Sequence, residues 1–182
     1  DSVNLKRNLY LTIQLLETGR PISFILNMND ELEESGINID LSVFKEKFGQ
    51  ATLIAAKKEK SVTPIIKDIQ TIEPNNFILD YGKTLESGID EIIAIITKES
   101  LFSHVNKRFI AIQLLSGNNY LHDQLDGRQQ QYIKKIQLRT EKKIIAEELA
   151  LSLNGLFFKI RRAYIMESLD QMISIQEKEV KE

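Results

Sequence analysis

Two short apolar runs, Ile22-Ser23-Phe24-Ile25-Leu26-Asn27 and Ala51-Thr52-Leu53-Ile54-Ala55-Ala56, decide how the first part of this chain folds. Both are too short for a stable helix and apolar along most of their length, so they predict buried strands. Ahead of the first run, residues 4–18 place Leu5, Leu9, Ile13 and Leu16 on one helical stripe, with Asn4 able to cap the start and Gly19 the end. Pro21 then breaks the chain. Between the strands, the polar stretch 29–38 predicts a loop. Asp40 caps a short helix over Leu41–Phe48, which Gly49 ends. After the second run, Lys57–Lys60 form a loop. Ser61 caps a helix to about Thr71, with Pro64 tolerated in its first turn.

The order helix, strand, helix, strand, helix predicts a parallel sheet with helices on its faces. Two strands are too few for a stable open sheet. The missing front strands are expected from residues ahead of Asp1 or from a partner. Pro74-Asn75-Asn76 marks a boundary, and beyond it the periodicity is helical. Leu85, Ile89, Ile92, Ile93 and Ile96 form one stripe; Phe109, Ile112 and Leu115 form the next, stopped by Gly117. Residues 128–153 and 156–180 give two longer helical patterns. The expected class is a partial α/β sheet over residues 1–73, followed by an all-α helical subdomain over 74–182.

Composition narrows the chemistry. With 42% hydrophobic and 27% charged residues among 182, the chain can bury a core. Its formal charge of -2 gives no general reason to expect nucleic acid or an anionic membrane surface. There are no cysteines, which excludes disulfides and thiolate-ligated zinc or iron–sulfur clusters. His104 and His122 are the two histidines, so a metal site would rest on carboxylates, and none is assigned. No apolar run approaches the ~18–20 residues of a membrane helix.

The chemistry-bearing motif is Asn27-Met28-Asn29-Asp30, directly after the first strand. Ala55-Ala56-Lys57 ends the second. Ligands bind beyond the carboxyl ends of parallel strands, so neighbouring strands would bring both segments to one crevice. The residue types suit guanine. The Asp30 carboxylate can accept from the base N1–H and exocyclic amine together, a donor pair adenine lacks. The Asn27 amide can bridge base and backbone. The Ala56 N–H can donate to the guanine 6-oxygen, and Met28 and Lys57 have stems long enough to cover the ring faces. Taken alone, the string is also an ordinary Asn/Asp turn at a strand end.

The flanking residues resemble a known family. NLKRNLYLTIQLLETGRPISFILNMND, residues 4–30, is similar to the stretch of FeoB-type ferrous iron transporters that leads into their NMxD guanine motif. The RNLYLTxQLxE run at 7–17 and Met28 are the most specific matches. GINIDLSVFKEKFG resembles the segment that follows. YGKTLESGIDEI, NKRFIAIQLLSGNN and RRAYIMESL resemble the helical subdomain behind the family's G domain. The resemblance implies the rear part of a P-loop-GTPase-like G domain plus that subdomain. GTP or GDP would be the ligand, with Asn27 and Asp30 as the specificity pair. Ala55-Ala56-Lys57 would be the last G motif, where the family usually has Ser at the position of Ala55. It further implies a cytoplasmic position beside the parent's membrane domain, which would move Fe²⁺. Oligomeric state stays open.

Two absences bear on catalysis. The phosphate-binding pattern GxxxxGK[ST] is missing; Gly82-Lys83-Thr84 imitates its end, but Phe77 stands where the first glycine belongs. No DxxG occurs either. Mg²⁺ is therefore expected only together with the missing front half, no catalytic residue is assigned, and the sequence by itself is not expected to hydrolyse GTP. The alternatives are a non-enzymatic helical adaptor with a G-domain remnant, or part of another small GTPase. The basic residues Lys134, Lys135, Arg139, Lys142, Lys143, Lys159, Arg161 and Arg162 alternate with Glu141, Glu147, Glu148 and Glu167 and read as a solvated face. Leu156, Phe157, Phe158, Ile160, Tyr164 and Ile165 read as core.

Overall fold

A computed structural model describes residues 5–27, 37–54, 63–98 and 100–175. The chain divides into two compact units, residues 1–77 with 162–182, and residues 78–161.

In the first unit, helix α1 (Leu5–Leu16) turns its predicted stripe inward: Leu5, Leu9, Ile13 and Leu16 are all buried. Strands β1 (Phe24–Leu26) and β3 (Ala51–Leu53) pair in parallel, with Phe24 opposite Ala51, Ile25 opposite Thr52 and Leu26 opposite Leu53. The strands are shorter than the apolar runs suggest, and β1 is not buried as expected. Ile25, at its centre, is 48% exposed. A two-stranded sheet leaves an edge and part of a face open, and the further strands the alternating pattern calls for are not among the described residues.

Between β1 and β3 lie β2 (Ile37–Ile39) and α2 (Leu41–Phe48). Asp40 caps α2 as predicted, its Oδ1 accepting from the Ser42 N–H at 2.8 Å and the Val43 N–H at 3.2 Å. Gly49 ends the helix at φ 94°, a left-handed conformation that favours glycine. Phe44 and Phe48 are buried with ring centroids 5.1 Å apart, and Phe48 meets Tyr164 edge-on at 5.9 Å. The Tyr164 hydroxyl donates to the Lys47 carbonyl at 2.9 Å, and burial, followed by Glu167 and Glu46, pushes its pKa up. Helix α3 (Thr63–Gln70) packs beside β3.

The hydrogen bonds to Asp40, with Ser42 foremost, hold its carboxyl below the ordinary value of 3.8. A depressed carboxylate contributes its stability above the unfolded pKa and loses it as pH falls through the folded one. Asp40→Ala is therefore expected to lower the melting temperature at neutral pH. The gap from the wild type should close as pH drops below about 4, which thermal melts across pH would measure.

The polar stretch that predicts only a loop ends in β2, and the last helical pattern ends in β4 (Ile173–Ile175). These two strands pair antiparallel, Ile37 opposite Ile175 and Ile39 opposite Ile173. Strands of three residues are too short to show a period, and their partners lie at opposite ends of the chain.

The second unit is helical: α4 (Gly82–Lys98), α5 (Lys107–Leu115), the single turn α6 (Asn119–His122), α7 (Gly127–Ala146) and the start of α8 (Leu153–Met172). Asn106, Asn118 and Asp126 cap α5, α6 and α7, the last with a capping box to Gln129. Leu85, Ile89, Ile92 and Ile96 of α4 are fully buried among Ile110, Leu115, Ile133 and Ile144 of the second unit's core. Arg108 grips Glu86 through both guanidinium Nη atoms, at 2.7 and 2.6 Å, and donates to the Leu79 carbonyl at 2.8 Å. The Tyr81 N–H also donates to Glu86, so one ion pair fixes the entry to α4. That pairing raises the Arg108 pKa above its ordinary value.

Three expectations need correcting here. Arg161 is not on a solvated face but 5% exposed, because the rings of Tyr81 and Phe157 enclose it. Phe158, read as core, is half exposed, since its neighbours Leu156 and Phe157 take the inward positions of α8. Ile93 of the α4 stripe is half-buried, beside the fully buried Ile92.

Gly88 of α4 faces Leu115 of α5 and Thr140 of α7 at close range. A Cβ there would sit 3.0 Å from Thr140 Oγ1 and 3.2 Å from Leu115 Cδ2. Gly88→Ala gains about 1 kcal/mol of helix propensity against a slight squeeze. Gly88→Leu has no space for its outer carbons and is expected to cost about 1–3 kcal/mol, read as a lower urea midpoint.

Candidate functional site

The parallel pairing of β1 and β3 sets their carboxyl ends side by side. The Ile54 N–H donates to the Leu26 carbonyl at 2.8 Å, so the chain leaves both strands in register. Asn27 follows β1 directly and is exposed. Met28, Asn29, Asp30, Ala55, Ala56 and Lys57 lie outside the described residues. What the structure fixes is the frame: the last described residues ahead of the two candidate segments, Asn27 and Ile54, stand at the same end of one sheet.

Asn27 also lines a groove of about 130 Å³ between α1 and β1, with Leu9, Thr12, Leu26, Ile39 and Phe44 among its walls. Asn8 joins this lining; neither Asn8 nor Thr12 stood out in the sequence. Their four-residue spacing beside the Leu5–Leu9 stripe is the signal that places them on that face. The Thr12 hydroxyl donates back to the Asn8 carbonyl at 3.1 Å.

A larger cavity of about 590 Å³ lies at the other end of the sheet, lined by Ile22 and Gln50, which precede the two strands, and by residues 71 and 73–77. Size alone would favour it. Parallel sheets present their ligand crevice at the carboxyl ends, however, and of the two hollows only the smaller is lined by Asn27, at the carboxyl end of β1. Among the described residues, the groups with displaced pKa values are Asp40, Arg108, Arg139 and Tyr164, and none lines this groove.

Gly82-Lys83-Thr84 begins α4 after a segment with no strand. The Thr84 hydroxyl donates to Glu147 at 2.7 Å and the Gly82 N–H to Asp80 at 2.7 Å. These groups tie the second unit together.

Two family models match. One, ferrous iron transport protein B, matches residues 1–69. The other, the FeoB cytosolic helical domain, matches residues 81–174, just over half of the chain. The chain belongs to the FeoB family. It is 28% identical over 178 residues to the Fe(2+) transporter FeoB of Staphylococcus aureus strain MSSA476, a match covering 96% of this chain and 26% of that protein. The chain thus spans about a quarter of that relative's length. A crystal structure of an S. thermophilus NFeoB mutant bound to GDP is similar with a TM-score of 0.81 at 26% identity, covering 96% of this chain and 67% of that one. NFeoB from S. thermophilus bound to GDP, AlF4- and K+ gives 0.77 at 27% identity, covering 93% and 66%. The small parallel sheet with a helical remainder is thus the rear of an FeoB G domain followed by the FeoB helical domain.

Proposed function

We propose that this chain carries the base-recognition and helical parts of a guanine-nucleotide-binding region in a ferrous iron transporter. In this reading nucleotide state is coupled to Fe²⁺ passage through a membrane domain of the same protein. The supporting observation is the side-by-side exit of β1 and β3, whose sequences lead directly into Asn27-Met28-Asn29-Asp30 and Ala55-Ala56-Lys57, in a chain of the FeoB family.

Asp30 would read the N1–H and exocyclic amine of guanine, Asn27 would bridge base and backbone, and the Ala56 N–H would meet the 6-oxygen. Met28 and Lys57 would cover the ring. Ala55 supplies no hydroxyl to brace the last loop. Base recognition would rest in residues 1–73 and a relay in 74–182. Phosphate and Mg²⁺ would be held by parts of the G domain not matched in this chain, and the region would face the cytoplasm. Among the described residues, no helix is long and apolar enough to cross a membrane.

The test is competition. Fluorescent GDP is bound to the protein, with any residues its reading frame encodes ahead of Asp1 retained, and displaced by GDP or ADP. GDP should displace it far better. Equal displacement by the two would sink the assignment of Asp30.

A further inference from the structure

Helix α7 concentrates charge that the whole-chain balance conceals. The chain carries 24 basic and 26 acidic residues, yet α7 alone holds six basic residues and one acid, Glu141. All six, Arg128, Lys134, Lys135, Arg139, Lys142 and Lys143, are exposed, whereas Glu141 is half-buried. Ile133, Ile136, Gln137, Thr140 and Ile144 take the inward side. Positions 128, 132, 135, 139 and 142 recur at steps of four and three and form one outward stripe, with 134, 138 and 145 alongside it.

The face is not purely polar. Tyr132 is 47% exposed, with the Arg128 guanidinium and the Lys135 ammonium within 6 Å of its ring. Leu138 and Ile145 are half exposed. The turn after α7 exposes Leu149 and, at 93%, Leu151, with Glu148 exposed beside them, and Lys159 of α8 donates to the Leu149 carbonyl at 3.2 Å. Two cations are engaged on the protein: Arg139 pairs with Glu91 and Lys143 with Glu147. Among the described residues, no ion pair engages Arg128, Lys134, Lys135 or Lys142.

We propose that this face of α7, with the α7–α8 turn, is a docking surface for an acidic lipid bilayer. An acidic peptide or a nucleic acid would satisfy the cations but leave Leu138, Ile145 and Leu151 in water. The headgroup layer takes both, lysines at the phosphates and apolar side chains at the acyl boundary. The attraction is local to α7, so a net charge of -2 over the chain does not oppose it beyond a Debye length of about 10 Å. The inference does not depend on the nucleotide site.

The test is vesicle flotation of the full chain with phosphatidylcholine alone and with phosphatidylcholine mixed with phosphatidylglycerol. Binding is expected to the acidic vesicles at ~0.1 M salt and to be largely lost at ~1 M. Neutralising four exposed cations together (R128Q, K134Q, K135Q, K142Q) should weaken it by roughly 600-fold, from about fivefold per charge. The pair Leu138→Ser and Leu151→Ser, which leaves charge untouched, should weaken it at least about tenfold. Far-UV circular dichroism confirms that the variants are folded. Equal binding to both vesicle types, or unchanged binding by the charge variant, overturns the proposal. So does salt-sensitive binding to polyglutamate or duplex RNA without vesicle binding, which assigns the face to an acidic macromolecule.

Discussion

Asp30→Ala is expected to weaken GDP binding on the order of 100-fold or more and to abolish preference for guanine over adenine. The proposed carboxylate accepts two hydrogen bonds from the base, each charge-assisted and worth about 1.5–3 kcal/mol. Preference rests on the same pair. With adenine in the site the carboxylate would lose its donors while remaining desolvated, a penalty that supports discrimination of ~10⁴ or more. Alanine removes the reward and the penalty together. GDP affinity should therefore fall and ADP affinity rise, until the two converge. Asn27→Ala should have a smaller effect, since an amide bridging base and backbone contributes one neutral hydrogen bond on each side. Competition titrations with both nucleotides against each variant measure this. If Asp30→Ala binds GDP as tightly as the wild type, Asp30 does not read the base.

Arg161→Ala is expected to be the most damaging single truncation in the second unit, at about 3–5 kcal/mol. Arg161 is buried, and its Nε donates to the Tyr81 hydroxyl at 2.7 Å. Its guanidinium lies 5.5 Å from the Tyr81 ring centroid and 5.6 Å from that of Phe157. The two rings meet edge-on at 4.7 Å, and both residues are 1% exposed. Alanine would remove a charge-assisted hydrogen bond, two cation–π contacts and a buried stem, leaving a cavity walled by aromatics. A typical domain has about 5–15 kcal/mol in total, so the loss would be a large share. Arg161→Lys keeps the charge but not the planar fork and should recover only part of it. Tyr81→Phe removes the hydroxyl alone and should cost about 1–2 kcal/mol. There is no tryptophan, so urea unfolding is followed by far-UV circular dichroism. A change within about 1 kcal/mol for Arg161→Ala would show that the aromatic enclosure holds without its cation.

The legible features are those whose code is local. Asp40 and Gly49 bracket α2 in the structure as in the sequence, because a cap and a left-handed stop act within one turn. The α1 stripe and most of the α4 stripe are buried as their periodicity predicts. The parallel pairing of β1 with β3 follows from the alternation of strand and helix. Beyond Asn27, the candidate guanine-reading residues are legible only as sequence.

The illegible features join distant residues or depend on what else is present. Nothing in Ile37-Asn38-Ile39 announces a partner at Ile173–Ile175. The run 161–162 reads as two surface arginines, yet Arg161 is enclosed by Tyr81 and Phe157. The exposure of Ile25 runs against its apolar surroundings, because burial of a strand is decided by its neighbours. The basic face of α7 is hidden for a related reason: the one acid within α7, Glu141, is half-buried, and Glu147 just beyond it is engaged by Thr84 and Lys143.

By itself, the sequence determined the class, the family resemblance and the candidate guanine-reading residues, because strand runs, caps and short motifs are written in neighbouring positions. Only the tertiary structure decided that the two motif-bearing strands leave the sheet side by side, that Arg161 is core, and that the cations of α7 share an exposed face with Leu138 and Ile145. Each of those depends on which surfaces meet once the chain has closed, and no local code carries that information.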